Sequence, residues 1–130
     1  MVTAPMGKGE TILVVDDEEM LLSLLQQGLE SIGYKVITAK DGEEAFEIIK
    51  KGIHFDLLLT DIMMPGAIDG FHLANILRSI DPNKPVVYIS AYIGLTFDEP
   101  EMVDAPLIQK PATKAEIGAV IGSALGHKAA

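Results

Sequence analysis

The chain has 130 residues, 48% of them hydrophobic, and a formal net charge of −9. This length suits one domain with a real core, and the apolar share excludes a disordered chain. The acidic balance excludes sequence-independent nucleic-acid binding, and the absence of Cys excludes disulfides, thiolate metal sites and Cys nucleophiles together.

No apolar run approaches the roughly 20 residues of a membrane span, and the N-terminus lacks a signal-peptide core. A cytoplasmic domain is expected, alone or within a larger chain. Residues 1–9 carry Pro5, Gly7 and Gly9 without apolar periodicity and read as a flexible lead. The domain itself is expected over 10–126, with 127–130 as a tail. The first strand is Thr11 to Val15, ending in Asp16-Asp17-Glu18. Leu21, Leu24, Leu25, Gly28, Leu29 and Ile32 then recur at helical spacing, and Gly33 stands where a C′ residue belongs. Tyr34 to Thr38 is short and β-branched, the pattern of an edge strand.

Asp41 and Glu44 have capping-box spacing ahead of a helix burying Ala45, Phe46, Ile48 and Ile49, which Gly52 ends. Leu57 to Thr60 reads as a strand buried on both faces, followed by Asp61 and the turn Pro65-Gly-Ala-Ile-Asp-Gly70. Phe71, Leu73, Ile76, Leu77 and Ile80 define a third helix, stopped at Asp81-Pro82. Val86 to Ile89 is a fourth strand ending in Ser90. Between Ala91 and Ala105 there is room for only a short fourth helix, near Glu101 to Val103. Leu107-Ile108 is a brief fifth strand delivering Gln109, Lys110 and Pro111. Thr113 and Glu116 cap a last helix through Ile117, Val120, Ile121 and Leu125, weakened by Gly118 and Gly122. Five strands alternating with five helices imply right-handed crossovers and a three-layer αβα sandwich. Periodicity does not give the strand order.

Four of these strands end in polar residues of a matched kind: Asp16 and Asp17, Asp61, Ser90, and Lys110. In a parallel sheet they gather at the carboxyl edge, where α/β folds bind ligands. Carboxylates crowded together repel, and one takes up a proton unless a cation sits among them. An oxygen-only donor set favours a hard ion, and Mg²⁺ above all because it accepts few protein ligands and keeps several waters. A cation and a Lys ammonium together suit a dianionic phosphoryl group, for which a carboxylate can be the nucleophile. Each feature alone has a plainer reading. Asp16 to Glu18 can be an N-cap with dipole-favoured acids, Asp61 a turn former, Lys110 a solvated charge and Ser90 a strand-end hydroxyl. Their coincidence at successive strand ends favours a site. His54, His72 and His127 share no ligand spacing, Met63 and Met64 read as filler, and Glu43, Glu44, Glu47, Lys50 and Lys51 read as a solvated helix face with mutual pairing.

Ile12-Leu-Val-Val-Asp-Asp-Glu18, Asp61 with Met64-Pro65 and Asp69-Gly70, Ser90-Ala91 and Lys110-Pro111 together resemble the receiver domain of two-component response regulators, over Thr11 to about Leu125. The resemblance implies a flavodoxin-like fold with strand order 2-1-3-4-5 and a phosphoacceptor Asp61 charged from a phosphohistidine on a histidine kinase or phosphotransfer protein. It implies Mg²⁺ held by Asp17 and Asp61, by Asp16 partly through water, and by the backbone carbonyl of Met63. Lys110 would pair with the phosphoryl group, the Lys110-Pro111 bond would be cis, and Ser90 would move toward the phosphate.

The chain departs from the family pattern at several points. Leu107 replaces the usual aromatic switch residue, for which Tyr92 is a candidate substitute, and Ala112 replaces a common Phe. The loop after Asp61 is one residue longer; with the Leu-Ile-Gln-Lys-Pro ending and the linker-like N-terminus it resembles the C-terminal receivers of hybrid sensor kinases, which would make this a cytoplasmic domain of a membrane-bound sensor kinase. The truncated fourth helix puts the common dimer face in doubt and favours a monomer. Met63 and Tyr92 beside the water path imply slow dephosphorylation. Two other functions compete with a phosphoaccepting switch. One is a Mg²⁺-dependent phosphohydrolase turning over an aspartyl phosphate, disfavoured by Met63 where such enzymes often place a second acid. The other is a degenerate receiver serving as a constitutive binding module.

Overall fold

The computed structural model describes residues 7–91 and 105–126. Five strands form one parallel sheet: β1 (Thr11–Val15), β2 (Lys35–Ala39), β3 (Leu57–Asp61), β4 (Val86–Ser90) and β5 (Leu107–Gln109), in the order β2-β1-β3-β4-β5. The helices among these residues are α1 (Glu19–Ser31), α2 (Gly42–Lys50), α3 (Gly70–Ile80) and α4 (Lys114–Ala124). The flavodoxin-like sandwich and its strand order are therefore present. The short helix expected near Glu101 to Val103, Tyr92, and the tail from His127 lie outside the described residues.

Burial explains why the strands read as they do. All residues of β3 and β4 are buried, and in β1 only Thr11 is partly exposed. Fully burying one such Leu or Val stabilises by about 1.5–3 kcal/mol, so the centre of the sheet dominates the core. β2 lies at one edge and buries only Ala39 fully. Alternate side chains split the interior in two. Leu13, Val15, Leu58 and Tyr88 pack under α2 and α3, whereas Ile12, Val14, Leu57, Leu59 and Ile89 pack under α1 and α4.

The helix ends follow their sequence signals. The Asp41 and Asp69 side chains accept from the Glu44 and His72 N–H groups, each at 2.8 Å. Thr113 and Glu116 complete a capping box in both directions. Gly33, at φ +100°, ends α1 in the left-handed conformation its position called for. Gly7 and Gly9 donate to the Ile32 and Gly33 carbonyls, so the end of the lead lies against this turn. Among the described residues, no helix is long and apolar enough to cross a membrane.

Two expected core residues lie outside the core. Leu24 is 58% exposed and Ile80 60% exposed, whereas Leu22, absent from the expected stripe, is buried. The reason on α1 is angular. Leu22, Leu25 and Leu29 form the row that meets the sheet, and Leu21, Leu24 and Gly28 form a neighbouring row turned toward α4. That second row lines an open trough of about 530 Å³, whose far wall is Pro111, Ala112 and Ile117.

Gly28 offers a direct stability test. A β-carbon there would come no closer than 4.0 Å to any atom beyond its own turn, an ordinary contact with the Lys114 side chain. Glycine inside a helix costs about 0.5–1 kcal/mol relative to alanine. Gly28→Ala is expected to raise stability by about that amount, read as a higher urea midpoint at unchanged slope.

Candidate functional site

Parallel pairing carries the strand tips to one edge. Val15 pairs with Thr60 and Asp61 with Ile89, so Asp16, Asp61 and Ser90 end three adjacent strands. Ser90 is registered against Gln109, and its carbonyl accepts the Lys110 N–H at 2.8 Å, which sets Lys110 beside the same edge. Asp16, Asp61 and Ser90 are all buried, and Asp17 is exposed at the mouth.

The side chains converge on one ammonium. Lys110 Nζ lies 2.8 Å from Asp16 Oδ2 and 3.2 Å from Asp61 Oδ2. Asp16 has a second fixed partner, since its Oδ1 accepts the Glu18 N–H at 2.9 Å. That bond explains the N-cap reading of the acidic run without exhausting it, because Glu18 is the N-cap of α1 and makes no side-chain cap bond. Carboxylate oxygens of Asp16, Asp17 and Asp61 lie within 4.8 Å of one another. Three acids this close, with one ammonium among them, leave excess negative charge, and their hard oxygen donors fit Mg²⁺. Burial pushes the Asp61 carboxyl above its ordinary value, and neighbouring Asp16 adds to this against the opposing pull of Lys110. Burial alone would lower Lys110, but its hydrogen bond to Asp16 and the charges of Asp61 and Asp16 outweigh it, and its value rises.

The loop after Asp61 is closed on itself. Gly70 N–H donates to the Ile62 carbonyl at 2.8 Å, and the Gly70 α-carbon sits against the Asp61 carbonyl. Ile62, Met64 and Ile68 point into the core, while Met63 is half exposed two residues beyond Asp61. The Thr60 hydroxyl, fully buried, donates to the Asp61 carbonyl at 2.8 Å. Leu107 is 42% exposed on β5. The Lys110-Pro111 bond is cis.

Lys50 pairs with Glu47 at 3.1 Å, as a solvated face would. Glu43 is exposed on that same face, and in addition its Oε1 accepts the Ile68 N–H at 3.0 Å, across to the loop that follows Asp61. No local signal marks this contact, because the partner is a backbone group 25 positions away.

Residues 12–121 match the family described as response regulator receiver domain. The autoinducer 1 sensor kinase/phosphatase LuxN of Vibrio campbellii is 32% identical over 127 residues, covering 95% of this chain. The chain spans only 14% of the length of that relative. A response regulator receiver protein from Sinorhizobium medicae superposes with a TM-score of 0.84 at 34% identity, covering 92% of this chain and 96% of that one. The response regulator TrrA from Thermotoga maritima, solved in complex with Mg²⁺-BeF, gives 0.80 at 30% identity, covering 88% and 98%.

Proposed function

We propose that this chain, which belongs to the response regulator receiver domain family, accepts a phosphoryl group on Asp61 and thereby switches its protein contacts. The observation that carries the reading is the Lys110 ammonium bridging two buried carboxylates at the sheet edge, with a third beside them. An Asp61 carboxylate oxygen attacks the phosphorus of a phosphohistidine. The new O–P bond forms as the P–N bond breaks, its electron pair staying on the imidazole nitrogen, which takes up a proton. Lys110 then turns from the carboxylates to the phosphoryl oxygens. The Ser90 hydroxyl donates to another of those oxygens and draws the tip of β4 with it. Asp16, Asp17, Asp61 and the Met63 carbonyl would hold Mg²⁺, which supplies neutralisation of the charge spread over the phosphoryl group. The Mg²⁺-BeF complex of the Thermotoga relative supports this ion. Met63 supplies no second acid for hydrolysis, which favours a slow-decaying switch over a turnover phosphohydrolase. The intact acidic set with Lys110 disfavours a constitutive binding module.

The donor docks in the α1–α4 trough. Lys110 lines both the trough and the acidic centre, so a partner seated on Leu21, Leu24 and Ala112 presents its imidazole beside Asp61. The exposed Leu24, lining the trough together with Leu21 and Ala112, fits that role. The match to LuxN supports a place within a sensor kinase, as the longer loop suggests.

Incubation with Mg²⁺ and radiolabelled acetyl phosphate tests the reading. Label in one-to-one stoichiometry, lost in Asp61→Asn, is expected. Repeated turnover of phosphomonoesters would establish the hydrolase instead, and absence of label the binding module. Leu24→Asp separates docking from chemistry: transfer from a phosphorylated histidine phosphotransfer domain is expected to fall by about tenfold or more, with labelling by acetyl phosphate retained.

A further inference from the structure

The loop that follows the acidic centre is held from outside by the start of α2. Its base is closed by the Gly70 to Ile62 hydrogen bond, and Met64 and Ile68 anchor it in the core. Its outer turn contains Gly66, at φ +99°, a conformation that disfavours any other residue. The Glu43 carboxylate lies against this turn. Oε1 accepts the Ile68 N–H at 3.0 Å, and a β-carbon on Gly66 would fall 2.6 Å from Oε2. Beside it, Gly42 comes so close to the loop that a β-carbon there would overlap the Ile68 carbonyl. An acid in the first turn of a helix is ordinarily content with the helix dipole and water. This one is spent on a loop backbone instead, and that loop carries the Met63 carbonyl.

We propose that Glu43 is a positioning residue for the acidic centre: by clamping the Gly66–Ile68 turn it holds the Met63 carbonyl where a divalent cation beside Asp61 needs it. The proposal rests on the receiver reading of the site. A cation that demands near-octahedral geometry tolerates little drift in a backbone ligand, so freeing the turn weakens binding even with every carboxylate in place. The clamp requires an acceptor and not a charge, because its partner is an N–H.

Isothermal titration with Mg²⁺ alone, on the wild type, Glu43→Ala and Glu43→Gln, tests it, with hydrogen exchange at the Ile68 amide read in parallel. The expected result for Glu43→Ala is a Mg²⁺ affinity lower by roughly tenfold and faster exchange at Ile68, with the urea midpoint little changed at this exposed helix position. Glu43→Gln keeps a carbonyl acceptor and is expected to bind Mg²⁺ within about twofold of the wild type. Wild-type affinity in Glu43→Ala overturns the clamp. An equal loss in both variants overturns it too, by showing that the carboxylate acts as a charge. Failure of the wild type to bind Mg²⁺ overturns the receiver reading itself, a result distinct from the other two.

Discussion

Lys110→Ala is expected to cut labelling by acetyl phosphate by about a hundred- to a thousandfold, the usual effect of removing one preorganised charge from a developing anion. The same change destabilises the resting protein. It strips the counter-charge from Asp16, which is fully buried, and from Asp61, which is 7% exposed. Breaking a buried ion pair typically costs about 3–5 kcal/mol, and partial solvent access at Lys110 brings the expectation to about 2–3 kcal/mol. The pH dependence has a definite sign. Asp61 is already raised above its ordinary value by burial, and losing Lys110 raises it further. A carboxyl raised on folding favours the native state while protonated in both states, so that contribution is lost as pH rises through the folded value. The destabilisation is therefore small near about pH 4 and grows toward neutrality. Urea unfolding across that range measures it. Lys110→Met, which keeps most of the aliphatic volume, separates lost charge from lost packing, and Mg²⁺ is expected to restore part of the stability in both.

Gly70→Ala is expected to destabilise by about 3 kcal/mol and to abolish phosphoryl uptake. Two effects oppose each other. Alanine is favoured over glycine in a helix by about 1 kcal/mol. Against that, the new β-carbon would overlap the Asp61 carbonyl oxygen and come within 2.8 Å of the Ile62 α-carbon. Both are backbone, so no side chain can swing aside, and the atom displaced belongs to the peptide of Asp61 itself. The clash wins. Gly28→Ala is the matched control, the same substitution in a helix with nothing to strike. A Gly70→Ala protein that folds with wild-type stability and labels normally would refute the close approach.

The architecture was legible because its signals are local. Short apolar runs ending in Asp or Ser mark the buried parallel strands whose tips share an edge, the brief β5 brings Lys110 to the same edge, and Lys110 meets Asp61 although 49 positions separate them. The caps at Asp41 and Thr113 depend on neighbours three residues away. Strand order came only through family resemblance, since periodicity holds no information on which strands adjoin. Leu24 was misread because helical spacing gives the angular position of a residue but not whether the neighbouring element closes over it. The Glu43 contact was not legible for a related reason: its sequence neighbours form an ordinary charged face, and its acceptor role appears only once the loop after β3 is folded against α2. Gly118 and Gly122 read as weak points in the last helix, yet both are buried, which local propensity does not register.

The sheet acts as a bulkhead between two separately packed holds. The residues under α1 and α4 belong to one, and the braced loop with Ile62, Met64 and Ile68 belongs to the other. Substitutions that reshape the rim of the first leave the ballast of the second in place. A lineage can thus remodel one flank without disturbing the other, because the two adjoin at the tips of the strands.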